Sequence, residues 1–288
     1  MRDDPPVARM KERFVPDLTL TLELLAFLIV IGGFAGVLAG LLGVGGGIVL
    51  VPAFFFTFQA LGYDGPQVMQ VCLATSLATI IVTSLRSVIG HNRKGAVEWP
   101  ILKGWGPGIV LGAIVGVLAA AALRSTSLQI IFGCLALVIG CYMTFGRNSW
   151  RIAQQMPTGI KQYLYSPLVG FLSVLMGIGG GSFGVPLMSL HNVPIHRAVA
   201  TAAGFGVLIA VPSAIGFLFL DVGAASSPPL TIGAINLPGF LIVIAMTLIT
   251  APLGVRLAHS LDPGPLKRAF GVFLLLVALN MLRKAWMG

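Results

Sequence analysis

Two matching stretches decide how this chain is organised: GVLAGLLGVGGGIVLVP at Gly36–Pro52 and GFLSVLMGIGGGSFGVP at Gly170–Pro186. Nine of the seventeen aligned positions are identical, at a constant offset of 134 residues. Each stretch carries three consecutive glycines inside an apolar run, and a proline follows five residues later. We infer an internal duplication, because other matches keep the same order along both halves. These are Ala74-Thr75 with Ala200-Thr201, and GAVEWP at Gly95–Pro100 with GAINLP at Gly233–Pro238.

The composition places this duplicated unit in a membrane. Of the 288 residues, 57% are hydrophobic and only 9% are charged, whereas a soluble domain carries about 25% charged residues. A helix needs about 20 apolar residues to cross the hydrocarbon core of a bilayer. The sequence therefore predicts an all-α polytopic membrane protein with eight transmembrane segments. They lie at residues 24–62, 67–90, 101–123, 126–146, 164–190, 197–220, 235–258 and 265–283.

The predicted layout is two repeated four-span halves, with the first and fifth segments broken at the glycine tracts. It divides the chain into an N-terminal segment 1–23, a first repeat 24–146, a linker 147–163 and a second repeat 164–288. Because residues 164–190 are too few for two full crossings, we predict one broken crossing at each tract and halves in parallel orientation. If each broken segment instead forms a hairpin, the two halves are inverted.

The positive charges predict an orientation in the membrane. The formal net charge of +9 fits the positive-inside rule for short loops, and the sequence contains no nucleic-acid-binding module. With a cytoplasmic N-terminus, thirteen Lys and Arg residues fall inside and five fall outside, namely Arg124, Arg197, Arg256, Lys267 and Arg268. We expect a multi-pass inner-membrane protein, surrounded by the lipid bilayer, with both termini in the cytoplasm. The sequence leaves open whether the protein forms a homodimer.

The two glycine tracts are the strongest candidates for a ligand site. Consecutive glycines interrupt a helix, and the helix that restarts presents free N–H groups and the positive end of its dipole. Such a terminus binds anions without a charged side chain. The alternative is that the glycines only allow close helix packing. We predict that a small anion binds near mid-membrane at Gly45, Gly46, Gly47, Gly179, Gly180, Gly181 and Ser182.

Three hydroxyl residues and one arginine are further candidates for the anion path. Thr75, Ser76 and Thr201 lie near the starts of the second and sixth segments, where they either line the path or bond to their own helix carbonyls. Arg86 is the most inward basic residue of the second segment. Its planar fork suits an oxyanion, although its side chain could equally reach the membrane surface.

The sequence gives no support for a metal site or a catalytic centre. His191 and His196 are five residues apart and do not share a helix face, and the remaining histidines are dispersed. The three cysteines are separate and lie in apolar runs. The proton relay of a pump requires a carboxylate in the middle of a segment, and this sequence has none there. We therefore expect no enzyme activity, no metal and no cofactor.

The combined motifs are similar to the TauE/SafE family of permeases for sulfite and organosulfur anions. The first half contributes GLLGVGGG near residue 40, LATSLA at Leu73–Ala78 and HNRKGAVEW at His91–Trp99. The second half contributes GIGGG at Gly177–Gly181 and HRAVAT at His196–Thr201, so the resemblance covers nearly the whole chain from about residue 30. It implies a multi-span bacterial permease that often exports such anions.

A transporter of small sulfur-containing anions is therefore the leading expectation, with export as the direction that the resemblance implies. An anion channel is the nearest alternative, since one broken-helix site could serve either, and a membrane-embedded enzyme is a more distant one. The second half departs from the first, because Ala202-Ala203-Gly204 replaces Ser76-Leu77-Ala78 and Asn236-Leu237 replaces Glu98-Trp99. These departures leave the exact anion and any coupling ion open.

Overall fold

The structure is a computed structural model that describes residues 18–42, 46–146, 150–260 and 263–287. Ten α-helices lie within these residues: α1 Leu18–Leu42, α2 Gly47–Ala60, α3 Val68–Arg93, α4 Trp99–Ala122, α5 Ser125–Phe145, α6 Ile160–Leu175, α7 Gly181–Leu190, α8 Ile195–Leu218, α9 Leu237–Ser260 and α10 Pro263–Met287. A short antiparallel pair, β1 Thr231–Ile232 and β2 Ile235–Asn236, lies between α8 and α9. This pair is an addition to the all-helical prediction.

Six of these helices are long and apolar enough to cross a membrane, namely α3, α4, α5, α8, α9 and α10. Their lengths follow from continuous apolar runs of 20 residues or so, which span about 30 Å at 1.5 Å per residue. The predicted class, an all-α polytopic membrane protein, is confirmed. The helices beside the glycine tracts are arranged differently from the predicted single crossings.

The second broken segment forms a hairpin. Two contacts show that α6 runs parallel to α4. Gln162 near the start of α6 donates a hydrogen bond to the Gly104 carbonyl near the start of α4, and Val174 near the end of α6 packs against Gly116 of α4. Helix α7 then runs back beside α8, with its first residues close to Phe205. Its last carbonyl, that of Leu190, accepts a hydrogen bond of 2.8 Å from the N–H of Ile152, in the linker that precedes α6.

The first broken segment repeats this hairpin. Helix α1 runs parallel to α9, with Gly32 against Val243 and Val37 against Gly254. A Cβ on Gly46 would lie 3.0 Å from the carbonyl oxygen of Ala35. Residues eleven positions apart in one continuous helix would be about 16 Å apart, so the chain turns back between α1 and α2.

The prediction of one broken crossing at each tract is therefore wrong, and so is the parallel orientation of the halves. Each tract lies between the two arms of a helical hairpin. The length argument, made for residues 164–190, failed because the arms of the second hairpin are shorter than a full crossing: α6 has 16 residues and α7 has 10. Helices α3 and α8 consequently run in opposite directions, as do the repeat-related pairs α4 and α9, and α5 and α10. The halves are related as inverted repeats.

The two halves are interlocked rather than placed side by side. Helix α1 of the first half packs along α9 of the second, and α6 of the second packs along α4 of the first. Small residues allow these close contacts: a Cβ on Gly36 of α1 or on Gly116 of α4 would lie within 3.0 Å of atoms in the other half. Helices α3 and α8 pack against each other between these two pairs.

The helix directions define two ends of the bundle. The basic end holds the 94–98 connection between α3 and α4 and the starts of α6, α8 and α10, and the distal end holds the 61–67 connection and the end of α10. Basic residues described at the basic end are Arg93, Lys94, Lys103, Arg151, Lys161, Arg197 and Arg268; those at the distal end are Arg124, Arg283 and Lys284.

This distribution corrects the predicted assignment of charges. Arg197 forms an ion pair with Glu98, so it shares an end with Arg93 instead of lying across the membrane from it. Lys284 hydrogen-bonds to Gln59 of α2 at 2.8 Å, which places the end of α10 opposite the 94–98 connection. Residues 1–17 of the predicted N-terminal segment lie outside the described part of the chain.

Candidate functional site

A cavity of about 330 Å³ opens at the basic end of the bundle. It lies between α1, α3, α8 and α9. Thr83, its innermost residue on α3, is ten positions before the end of that helix, so the cavity reaches about 15 Å inward. Its lining includes Ala39, Thr83, Ser84, Arg86, Ser87, His91, Lys94, Ala203, Thr247 and Ala251.

The charges of this cavity favour an anion. Arg86 and Lys94 are exposed and both line it, together with His91. No Asp or Glu is among its described lining residues. Because cations in a cleft with low-dielectric walls concentrate the potential, an anion at the basic end is attracted inward. Thr83, Ser84 and Thr247 supply hydroxyls closer to its inner end.

The turns of the two hairpins meet behind this cavity. A Cβ on Gly47, the first residue of α2, would lie 2.6 Å from the carbonyl oxygen of Gly177 and 3.0 Å from the Cα of Ile178. Gly177 has a φ of +61° and Gly46 a φ of +72°, a region that favours glycine. The predicted meeting of the two tracts is therefore present, in direct backbone contact.

The tract residues are separated from the cavity by one layer of α8. A Cβ on Gly180 would touch Phe205 and would lie 3.1 Å from the carbonyl oxygen of Ala202, and the next residue, Ala203, lines the cavity. None of the described tract residues lines the cavity itself. Of the predicted site residues, Gly45 lies outside the described part of the chain.

The start of α7 has the features expected of an anion site. Its N-cap is Gly180, which has an ordinary φ of −61°, so this glycine is required by the close approach of α8. The side chain of Ser182 is 4% exposed, and its hydroxyl has no hydrogen-bond partner among the described residues. Free N–H groups of the first helical turn lie beside it. An unpaired buried hydroxyl costs about 1–3 kcal/mol, so this arrangement suits a bound acceptor.

The predicted hydroxyl residues Thr75, Ser76 and Thr201 form hydrogen bonds between the two halves. The N–H of Asn236 donates to Thr75 Oγ1 and the N–H of Glu98 donates to Thr201 Oγ1, both at 2.9 Å. Ser76 donates to the carbonyl of Gly177 at 2.7 Å. All three hydroxyl residues are completely buried. None of the three lines the cavity, and the hydrogen bonds of their side chains among the described residues run to the other half.

Arg86 is the predicted site residue that lines the cavity. The sequence interpretation missed Lys94, Ser84 and Thr247, and it left His91 among the dispersed histidines. Thr83 and Ser87 belong to a polar stripe at a spacing of four, which is typical either of a pathway lining or of packing against a neighbouring helix, and both residues line the cavity. Thr247 had no such signal, because its place beside α3 depends on how α9 packs.

A comparison with known protein families identifies the family of this chain. The family described as sulfite exporter TauE/SafE matches residues 28–281. The chain belongs to this family. A probable membrane transporter protein of Haemophilus influenzae is 30% identical over 256 residues, which cover 89% of this chain and 97% of that protein. One from Methanocaldococcus jannaschii is 27% identical over 262 residues, covering 91% and 96% of the two chains.

Membership of the TauE/SafE family makes the protein a membrane transporter and not an enzyme. A third relative, the probable membrane transporter protein YunE of Bacillus subtilis, is 33% identical over 199 residues, covering 61% of this chain and 71% of that one. No solved structure matches the chain. The predicted family and the predicted transporter class are both confirmed.

Proposed function

We propose that this TauE/SafE transporter exports a small sulfur-containing anion, such as sulfite or an organosulfonate, across the cell's inner membrane. The observation that carries the proposal is the cavity at the basic end, whose described lining contains Arg86, His91 and Lys94 and no carboxylate. The sulfur chemistry of the substrate comes from the family description. The proposal that the substrate is small and anionic comes from the volume and the charges of the cavity.

The proposed orientation places the basic end in the cytoplasm. The described Lys and Arg residues concentrate there, which is the bias of cytoplasmic loops. The cavity then takes its substrate from the cytoplasm, in agreement with export. The end of α10 lies at the opposite side of the membrane in this orientation, so the predicted pairing of a cytoplasmic C-terminus with a cytoplasmic 94–98 connection is replaced.

Inside the cavity, the anion moves from Arg86 towards the start of α7. The free amides of Gly181 and Ser182 and the unpaired Ser182 hydroxyl are the donors that we propose for its oxygens. Ala203 and its neighbours separate these donors from the cavity, so α8 must shift to complete the site. A cavity that stops at this layer favours a carrier over an open channel.

The test is anion flux into proteoliposomes that contain the purified protein. We expect saturable uptake of sulfite or of one member of a sulfonate series, with little uptake of chloride or acetate. The variant Arg86→Gln should slow uptake about tenfold at low ionic strength because the cavity loses its inner cation. This difference should shrink in 1 M salt, where the screening length is about 3 Å.

The matched control is Arg93→Gln, which removes an exposed charge two turns away that does not line the cavity. It should retain the wild-type rate. Equal rates for the two variants at every salt concentration would exclude the cavity as the entrance. Wild-type protein that moves none of the sulfur anions would overturn the proposed substrate class.

A further inference from the structure

The duplication gives each residue of the cavity a counterpart in the other half. Offsets of 126, 138 and 134 residues relate α3 to α8, α4 to α9 and α1 to α6. The contacts obey the same offsets: Val37 and Gly40 pack against Gly254, and Phe171 and Val174 pack against Gly116. The halves are therefore packed alike, and a feature of one predicts a place in the other.

These offsets map the cavity onto a region between α3, α4, α6 and α8 that faces the distal end. We call it the distal pathway and define it by its completely buried residues. They are Leu77, Ile109, Ala113, Ser173, Val174, Ile209, Ala210, Ser213 and Phe217. The region that is open at the basic end is thus filled with side chains at the distal end.

We propose that the distal pathway is the second half of the transport route, closed in this structure and open to the distal face in a second state. This inference rests on the proposed function, since a carrier must expose its substrate to each side in turn. Inverted repeats commonly provide the two states, because each half can adopt the arrangement now held by the other.

An unpaired hydroxyl supports a second, hydrated state of the distal pathway. Ser173 is completely buried, and its Oγ has no hydrogen-bond partner among the described residues. Its counterpart in the open cavity is Ala39. A buried hydroxyl without a partner is costly, and water or an anion oxygen in an open distal pathway would satisfy it.

The movement required is a separation of α8 from α4. The closed contact between these helices involves small residues, since a Cβ on Gly216 would lie 2.8 Å from Val117 and one on Gly106 would lie 3.2 Å from Leu208. In the opposite half, the cavity separates α3 from α9. Rocking of the α3–α8 pair between these partners closes the cavity as the distal pathway opens.

The cavity and the distal pathway differ in charge, so we assign them different roles in transport. The cavity residues Arg86, His91 and Lys94 correspond to Pro212, Phe217 and Leu220. An anion is therefore captured on the basic side by Arg86 and Lys94 and meets apolar residues at the corresponding positions on its way out. Phe217, which is completely buried, occupies the place of His91 and forms the apolar gate of the distal pathway.

The chain offers a matched pair for the test, because Ser87 lines the cavity and its repeat counterpart Ser213 is completely buried. In a background without Cys72, Cys134 and Cys141, each serine is changed to cysteine and treated with a charged, membrane-impermeant thiol reagent. S87C should react from the basic face without substrate. S213C should react only from the distal face, about tenfold faster or more during sulfite transport, as expected when a minor state becomes a major one.

A210C, one turn away on the same buried face of α8, is the second reporter. A136C, equally buried in α5 but outside the distal pathway, should stay unreactive throughout. If the S213C and A210C proteins transport sulfite but neither cysteine reacts during transport, the distal pathway is overturned and the proposed function stands. Absence of flux in the cysteine-free parent, when the wild-type protein also shows none, would overturn the proposed function and this inference with it.

Discussion

At the scale of single residues, the two halves share one pair of hydrogen bonds and differ at the start of the second hairpin arm. Thr75 and Thr201 keep the same role in both, each accepting a backbone N–H from the other half. Ser182 has no equivalent, because Ile48 stands at the matching place in α2. The donors that we propose for the anion therefore lie at the start of α7, and the first hairpin packs against the turn that precedes them.

Replacing Ser182 by alanine should weaken substrate binding without weakening the fold. Its hydroxyl has no partner to lose among the described residues, whereas a hydrogen bond to a charged ligand contributes about 1.5–3 kcal/mol. We expect the KM for sulfite to rise about 10- to 100-fold with an unchanged Tm in detergent. Flux at a series of sulfite concentrations measures the effect.

Ser189→Ala is the control for this change. Ser189 lies in the same helix, near its other end, and its hydroxyl is also buried without a partner among the described residues. It should keep the wild-type KM because it is far from the helix N-terminus. Equal KM values for the two variants would remove Ser182 from the substrate site.

At the scale of elements, the hairpin is the unit that the glycines make possible. The start of α2 approaches the turn between α6 and α7 so closely that no side chain fits between them. Gly180 is equally crowded, since a Cβ there would meet Phe205. A large residue at Gly180 would therefore disturb α8 packing as well as any anion contact, and would not separate the two effects.

Gly47→Ala should destabilise the contact between the hairpins. Its Cβ would lie 2.6 Å from the carbonyl oxygen of Gly177 and 3.0 Å from the Cα of Ile178, and backbone atoms cannot move aside as a flexible side chain can. Overpacking of this kind costs about 1–3 kcal/mol. Thermal unfolding in detergent should show a lower Tm.

Gly223→Ala provides the comparison, because a Cβ there meets no atom within 4 Å. Its Tm should remain that of the wild-type protein. If Gly47→Ala is as stable as Gly223→Ala, the two hairpin turns are not in contact in the membrane.

At the scale of the whole molecule, the inverted arrangement makes the two faces of the membrane nearly equivalent in fold and unequal in charge. Each half contributes one hairpin and three long helices, and the interlocked pairs α1–α9 and α4–α6 prevent the halves from moving as separate bodies. The α3–α8 pair lies between them. A change of state is therefore expected to move this pair against its partners.

The orientation can be measured with single cysteines in the cysteine-free background. R93C and I195C lie at the basic end, and W286C lies near the end of α10. We expect an impermeant reagent to modify R93C and I195C from the cytoplasmic face and W286C from the other face. All three residues are exposed, so accessibility does not limit the reaction.

Labelling of R93C and W286C from the same face would contradict the inverted arrangement. Labelling of R93C and I195C from opposite faces would contradict it as well, since the parallel arrangement requires that result. If the cytoplasmic and external faces are exchanged for all three positions, the inverted fold stands and the proposed direction of capture is reversed.

The sequence by itself determined the membrane class, the duplication and the family, because these depend on composition, apolar run length and motif order, which are local properties of the chain. It also located both glycine tracts and Arg86. Only the tertiary structure decided that the tracts are hairpin turns, since a run of glycines permits a straight break and a reversal equally. The cavity was likewise decided by packing, because Arg86 and Thr247 lie on helices from different halves and meet only when α3 and α9 come together.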